Sequence, residues 1–333
     1  SASDAWTHKR NFAFGFERMH TWLALTHAQI PVDVVHESEV EEGLLDDYAV
    51  CYLSDPHLTR ASAAALRSWV EKGGTLILTA GAAQFDEFNR PLAALDESLP
   101  LTRAPLTTWQ KYQAAGRFLS TLTPRGEIEA ATTRLQILSV EQRLEHVAEN
   151  PGLQVTASFA DGAPAEVRAT IGDGTVVVRG YLPALDYIRR ALVAKNGVEE
   201  RAREIRDNGI PGSDDVRALD TSEKSYNPWE YPAEVRDHIV QPAREAGIAP
   251  PVVCDVPLVD AVCMESGEDL LIPLANYTLQ PIPRLTLEIA VSSPPREVRS
   301  VHHGVLPYET IGEGRIRLSL PLDCTDFLSI VSE

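Results

Sequence analysis

The stretch Trp69-Val70-Glu71-Lys72-Gly73-Gly74-Thr75-Leu76-Ile77-Leu78-Thr79 decides the fold class. Upstream of it, Ala65, Leu66, Trp69 and Val70 recur on one side of a helical repeat over residues 59–72, with Thr59 placed to cap its start. Gly73-Gly74 closes that helix, because the residue after a helix end commonly turns left-handed, where glycine has no Cβ to clash. The apolar run Thr75–Thr79 begins at once and predicts a buried strand. On the other side of the helix, Ala49-Val50-Cys51-Tyr52-Leu53 reads as a second buried strand and leads into the loop Ser54-Asp55-Pro56-His57. Strand, helix and strand joined by short loops imply a parallel sheet covered on both faces, with a right-handed crossover.

Working outward, residues 9–28 predict a helix whose apolar face is Phe12, Phe16, Met19, Leu23 and Ala24. Pro31 ends it. Val32-Asp33-Val34-Val35 then predicts a short buried strand, and residues 38–45 a short acidic helix or turn. Residues 84–150 are less regular. Ile128 to Leu138 and Gln154 to Phe159 alternate as strands do, and Ala165-Glu166-Val167 pairs with Thr175-Val176-Val177-Val178 as a hairpin about Gly172-Asp173-Gly174. Residues 184–194 predict a closing helix. From 195 to 250 prolines interrupt the chain, which predicts a long connector with short helices, one of them at 232–246. From 251 the pattern is all β, with strands at 258–264, 269–275, 284–291, 297–301, 314–320 and 326–331. The expected organisation is therefore a flavodoxin-like, open, mainly parallel α/β domain over 1–195, a Pro-rich, partly helical connector over 196–250, and a small antiparallel β-sandwich over 251–333.

Composition narrows the partners. Acidic residues outnumber basic ones 48 to 30, a formal charge of −18, and no basic stripe offsets it. Such a chain repels phosphate backbones and anionic lipid, so neither nucleic acid nor membrane is expected as a partner. No apolar run approaches the roughly 18 residues that a membrane span needs. The start, Ser1-Ala2-Ser3-Asp4, has neither the basic segment nor the apolar core of a signal peptide. The cysteines Cys51, Cys254, Cys263 and Cys324 show no CxxC or Cys/His metal spacing, so no metal or other cofactor is expected. Cys51 reads as a core residue, and the spacing of Cys254 and Cys263 leaves a bridge between them open.

The run from Ala24 to Pro100 resembles the trimerisation domain of family 42 β-galactosidases. The residues that carry the resemblance are Pro31-Val32-Asp33-Val34-Val35, Leu45-Asp46-Asp47-Tyr48, Trp69 to Leu76, and Asp86-Glu87-Phe88-Asn89. It reappears at Asp161-Gly162-Ala163-Pro164-Ala165, Gly172-Asp173-Gly174 and Gly180-Tyr181-Leu182-Pro183, and Ile272-Pro273-Leu274-Ala275-Asn276-Tyr277 is similar to the start of the small β domain that ends such enzymes. The resemblance implies a glutamine-amidotransferase-like fold, a homo-oligomer (a trimer), and a catalytic barrel elsewhere as partner. Two departures stand out: no apolar strand precedes the first helix, and the barrel is not in the chain. Both suggest the C-terminal part of a longer polypeptide, or a chain that pairs with one.

The chemistry of the chain fits that reading. A retaining glycosidase needs two carboxyl groups roughly 5–5.5 Å apart, normally on a barrel of about 250 residues. Glu265-Ser266-Gly267 has the look of a nucleophile site but sits between two β segments, so a hairpin turn accounts for it. An amidotransferase needs a thiol on a tight turn after a strand. The matching turn, Thr79-Ala80-Gly81-Ala82-Ala83, has no nucleophile in its middle. One polar group remains: Asp55, His57, Asp86, Glu87 and Asn89, on two loops that both follow strands, at the edge where open sheets gather ligands. It is a candidate ligand or interface edge, although turn chemistry alone would also explain Asp and Asn there. His20 and His27, seven residues apart on one helix, are packed or exposed residues, and a turn suffices for His302-His303. Trp109 and Trp229, in polar, Pro-flanked stretches, are candidate sugar platforms or interface anchors. The expected function is a non-catalytic assembly portion of a glycoside hydrolase. The alternatives are a hydrolase using the acidic edge, or a carbohydrate-binding module.

Overall fold

The computed structural model describes residues 2–7, 12–108, 124–150, 152–196, 231–267, 269–312 and 314–332. The chain divides into two compact units, residues 1–22 with 33–247, and residues 23–32 with 248–333.

The first unit begins with helices α1 (Ala2–Thr7), α2 (Phe12–His27, continuing into the second unit) and α3 (Glu37–Glu41). Strand β1 (Val50–Leu53), helix α4 (Arg60–Glu71) and strand β2 (Thr75–Leu78) follow. After them come β3 (Thr102–Arg103), β4 (Thr107–Thr108), β5 (Pro124–Ala130), β6 (Arg134–Leu138), β7 (Val140–Glu141) and β8 (Leu144–Glu145). The unit closes with β9 (Gln154–Phe159), β10 (Pro164–Ile171), β11 (Gly174–Arg179), α5 (Pro183–Asn196) and α6 (Ala233–Glu245). One seven-stranded sheet runs β1-β2-β11-β10-β9-β5-β6, and β3-β8 and β4-β7 form two small ribbons.

That sheet is mixed, which corrects the expectation of a mainly parallel one. Only β1, β2 and β11 run parallel, and the pairings from β11 to β6 are antiparallel. The connections explain the split. Between β1 and β2 the chain has a whole helix with which to cross over. Between β9, β10 and β11 it has only the tight turns at Asp161-Gly162 and Gly172-Asp173, which return a strand antiparallel.

Helix α4 forms as its ends dictate. The Thr59 hydroxyl oxygen accepts the Ser62 N–H at 3.0 Å, an N-cap. At the other end the Gly73 N–H donates to the Val70 carbonyl and the Gly74 N–H to the Trp69 carbonyl, with Gly73 at φ +121°. This is the paired closure that a left-handed glycine permits. The inward face of α4, Leu66, Trp69 and Val70, packs on Leu76, Leu78, Val167, Val176 and Val178. A second apolar cluster joins Ala13 and Phe14 of α2 to Leu182, Leu185 and Ile188 of α5, with Ala80, Leu138 and Val140.

Two local expectations are corrected. Within α2 the buried residues, among those whose side chains are described, are Ala13, Phe14, Glu17, His20, Thr21, Ala24 and Leu25; Phe16 is half-buried against the second cluster, whereas Met19 is 42% exposed. The buried side thus keeps Ala24 of the expected face and adds the polar Glu17, which accepts the Leu185 N–H at the start of α5, and His20. Residues 32–35 belong to no strand, and Val34 is 71% exposed. The acidic stretch beyond it does turn helical as α3. The His36 N–H donates to the Glu39 carboxylate at 2.7 Å and the Ser38 N–H to His36 Nδ1, a reciprocal cap.

The second unit is antiparallel β. Its strands are β12 (Val252–Cys254), β13 (Val259–Ala261), β14 (Met264–Ser266), β15 (Asp269–Asn276) and β16 (Ile282–Ala290). They continue with β17 (Glu297–Ser300), β18 (Gly304–Val305), β19 (Tyr308–Thr310), β20 (Arg315–Leu322) and β21 (Thr325–Val331). One sheet runs β12-β16-β20-β19, and the other β13-β15-β21-β17-β18 with β14 beside β15. Alternate residues of both sheets, among them Leu285, Leu287, Leu318, Leu320, Ile272, Leu274, Leu328 and Ile330, share one apolar cluster. Glu265 and Ser266 lie in the β14–β15 hairpin, with Gly267 at φ +67° in its turn. All four cysteines are free thiols, so Cys254 and Cys263 form no bridge. Cys51 packs against the first core, and burial pushes its thiol up to about 12.

Candidate functional site

The loop after β1 and the loop beyond β2 do come together. A parallel bridge joins His57 to Phe85, the Leu58 N–H donates to the Phe85 carbonyl at 2.9 Å, and the Phe85 N–H donates to the Pro56 carbonyl at 3.0 Å. The Asp55 carboxylate pairs with Arg18 of α2. His57 is buried between the rings of Trp6 and Phe85, with centroids 6.3 and 5.2 Å away. Its Nε2 lies 2.8 Å from Asn89 Oδ1, so the ring proton is assigned to Nε2 from that contact. Nδ1 is then left buried with no hydrogen-bond partner. Ser3 clasps the same residue: the His57 N–H donates to Ser3 Oγ at 2.9 Å, and the Ser3 hydroxyl donates to the His57 carbonyl at 3.2 Å.

The two acidic residues of the second loop are structurally occupied. Asp86 Oδ1 accepts the N–H groups of Phe88 and Arg90 at 2.9 and 2.8 Å. Burial raises the Asp86 carboxyl, but those N–H bonds, aided by Arg60 and Arg90, outweigh it and hold the group below the usual carboxylate range. Glu87 accepts the Arg60 N–H at 2.9 Å and Arg60 Nε at 3.1 Å. Arg60 is the first residue of α4, so this carboxylate sits against a helix N-terminus, and bonds from its own N–H and that of Arg60 lower its pKa. The Trp6 indole N–H donates to the Glu87 carbonyl at 2.8 Å. Asn89, at φ +59°, presents the exposed Phe88 ring to the guanidinium groups of Arg60 and Arg90 at 5.1 and 5.8 Å.

All five residues named from the sequence therefore lie on one edge, joined by Ser3 and Trp6, which sequence reasoning missed. Trp109 and Trp229 lie outside the described residues. Among the described residues no cluster of His, Cys, Asp or Glu has the arrangement of a metal site, and no helix is long and apolar enough to cross a membrane. Each carboxylate of the edge already accepts from an arginine or from main-chain N–H groups. The edge is built to hold two loops and one exposed aromatic in place.

The turn Thr79–Ala83 is similarly committed. Ala80, Ala82 and Ala83 are fully buried, and the Gly81 N–H donates to Gln142 Oε1 at 2.9 Å. Gln142 in turn donates from Nε2 to the Ala104 carbonyl at 2.9 Å. The main-chain donor that could face a reacting group is thus used inside the fold.

A second polar assembly, not named from the sequence, lies inside the first unit. Glu166 Oε2 is 2.7 Å from Arg179 Nε, 3.0 Å from the Tyr181 hydroxyl and 3.2 Å from His238 Nε2. Arg179 also donates to the His238 carbonyl at 3.0 Å, and the Tyr52 hydroxyl to the Ile239 carbonyl at 3.0 Å. Helix α6 is thereby fixed to β1, β10 and β11. Burial raises the Glu166 carboxyl, yet the Arg179 charge and the His238 contact overcome it and hold the group far below its ordinary range. Nearby, Glu17 accepts the Leu185 N–H at 3.0 Å, and burial pushes its carboxyl up to about 8. A signal for the pair existed. Counting back from the Gly172-Asp173 turn sets Glu166 opposite Arg179 in the hairpin register.

With this geometry in place, comparison with solved structures is informative. The fold resembles part of a glycoside hydrolase. Over 93% of its length the chain superposes on 35% of Gan42B, a GH42 β-galactosidase from G. stearothermophilus, with TM-score 0.57 and 13% identity. For the β-galactosidase from Bacillus circulans sp. alkalophilus the shares are 95% and 37%, with TM-score 0.58 and 12% identity. The α-L-fucosidase isoenzyme 2 from Paenibacillus thiaminolyticus matches over 95% of this chain and 45% of its own, with TM-score 0.59 and 10% identity. At such identities the likeness is one of fold. The chain spans about a third of the length of these β-galactosidases. No protein-family model matches the chain, and no curated protein matches it in sequence.

Proposed function

We propose that the chain is the non-catalytic assembly portion of a glycoside hydrolase of the family 42 β-galactosidase kind. In this reading residues 1–195 are the trimerisation domain, flavodoxin- or amidotransferase-like in type, 196–250 a connector whose helix α6 packs back on that domain, and 251–333 a β-sandwich. Its partners are a glycosidase barrel, as a domain or a separate chain, and further copies of itself. The observation that carries the reading is the fold match over 93–95% of this chain against 35–37% of the β-galactosidases. Two features of the site support it: the carboxylates at Asp55, Asp86 and Glu87 are tied to Arg18, main-chain N–H groups and Arg60, and the turn at Gly81 is closed by Gln142. The edge carrying Asp55, His57, Asp86, Glu87 and Asn89 then serves as an interface edge, with Phe88 as its exposed aromatic.

The test combines solution mass with turnover. Light scattering of the chain alone, and after mixing with a family 42 barrel, is expected to show a homo-oligomer or a complex. Nitrophenyl galactosides and fucosides are expected to remain uncleaved by the chain alone. A monomer that never binds the barrel would overturn the assembly reading. Turnover that disappears in Glu87→Gln would replace it with the hydrolase reading.

A further inference from the structure

The two sheets of the second unit have unlike outer faces. On the β12-β16-β20-β19 sheet the outward positions are polar. Arg317 spans three strands, donating to Glu288 at 2.7 Å and to Glu309 at 3.1 Å, and the Thr286 and Ser319 hydroxyls meet on the same face at 3.4 Å. On the other sheet, side chains alternate between the core and the outside. Ile272, Leu274, Leu328 and Ile330 are buried, so Leu271, Pro273, Phe327 and Ser329 face out. The ladder sets Met264 beside Leu271, Leu271 beside Ser329, Pro273 beside Phe327, and Arg299 beside both Ser329 and Val305. Val301 donates its N–H to the Phe327 carbonyl. Met264, Leu271, Phe327, Val301 and Val305 therefore form one apolar strip, each between 38 and 70% exposed. A contiguous apolar face of this kind marks a contact surface.

We propose that this face pairs with the same face of a second copy of the chain, about a two-fold axis parallel to the central strand β21. Charge selects both the occupant and the axis. Arg296 and Arg299 stand on the β17–β18 side of the strip, and Asp260 and Asp269 on the β13–β15 side, all exposed or half-buried. Glu297 holds Arg299 at 3.1 Å within the chain, yet the Arg299 side chain stays more than half exposed, with donors to spare. Rotation about an axis along β21 carries each side of the sheet over the opposite side of its partner. Both arginine borders then meet aspartate borders, twice by symmetry. An axis across the strands would instead set arginine on arginine and aspartate on aspartate. Sheets packed face to face lie about 10 Å apart with their strands nearly aligned, which a two-fold along β21 provides. Phe327 and Ser329, on β21, lie nearest the axis and meet their own counterparts. A chain of formal charge −18 repels its copies, so a copy docks where the facing centre is uncharged and the borders attract. This pairing is distinct from the trimer proposed for the first unit and does not rest on it.

Sedimentation equilibrium of the whole chain tests it. Phe327→Asp is expected to halve the native mass at the same concentration while leaving the urea midpoint unchanged. Arg299→Glu is expected to weaken association by about tenfold or more, and adding Asp269→Arg to restore most of it, because the pair re-forms with its signs exchanged. A role for Arg299 within its own chain would show no such rescue. A native mass that Phe327→Asp leaves unchanged would overturn the proposal, and so would an Arg299→Glu defect that Asp269→Arg does not relieve. Phe327→Asp that keeps the native mass but abolishes binding to a family 42 barrel would assign the face to the barrel and overturn the pairing, while the assembly reading would stand.

Discussion

Glu166 Oε2 lies 2.7 Å from Arg179 Nε, and both side chains are withdrawn from solvent at directly opposed positions of one hairpin. Removing one partner leaves the other charge buried and uncompensated, which costs about 3–5 kcal/mol. Arg179→Met is therefore expected to lower unfolding free energy in urea by that amount. Glu166→Leu combined with Arg179→Met is expected to recover a large part of the loss, because no charge is then stranded.

The pH dependence of stability should centre on α2. Glu17 is raised from 4.5 to about 8 by burial, against the opposing pull of the Ala184 and Leu185 N–H groups and Arg179. A group raised in the folded state stabilises fully below its unfolded value, and the contribution fades as pH climbs from 4.5 through about 8. A tenfold difference in proton affinity between the folded and unfolded chain corresponds to roughly 1.4 kcal/mol, so the loss amounts to several kcal/mol. Unfolding free energy measured from pH 5 to pH 9 is expected to decline in the native chain, and to be flatter in Glu17→Gln.

His20 governs the acid side. Burial lowers it from 6.5 to about 4, partly offset by its bond to the Phe16 carbonyl. Its neutral form is the one the fold accepts. Stability is then lost as pH falls below 6.5 towards 4, and His20→Gln is expected to lose less than the native chain over that window.

Thr59→Ala removes the N-cap of α4, for which about 1 kcal/mol is expected. The variant should shift the denaturant midpoint without changing the slope, since α4 remains folded on its apolar face.

Gly180 follows β11 in a space that admits no side chain. A Cβ there would stand 2.1 Å from the Gln142 carbonyl oxygen, which is main chain and cannot swing aside. Gly180→Ala is expected to cost about 3 kcal/mol or more, visible as a marked fall in Tm, whereas alanine at Gly162, where nothing lies within 4 Å, meets no such neighbour.

Much of this fold could be read from the sequence because periodicity and turn chemistry agreed. Helix α4, β2 and the β10–β11 hairpin are of this kind, as are most strands beyond residue 258. Expectation failed where polar residues were interior. The buried face of α2 carries Glu17 and His20, polar residues that an apolarity count leaves out, while Met19, which it includes, is exposed. The parallel character of the sheet was overestimated because two turns, not helices, join β9 to β11. At the candidate edge the residue types were legible. Their partners were not legible, since Arg18, Ser3 and Trp6 reach the loops from distant parts of the chain.

Strand β1 ends the seven-stranded sheet with no further strand beside it among the described residues, which has a consequence for handling the protein at high concentration. Half-buried Val50 and Tyr52 turn their main-chain N–H and C=O groups away from β2, and such an edge is adhesive when two molecules meet side by side. The formal charge of −18 opposes such encounters while ionic strength is low. Added salt or acid weakens that repulsion but leaves the adhesive edge unchanged, so colloidal stability should deteriorate in both cases well before the fold itself is lost.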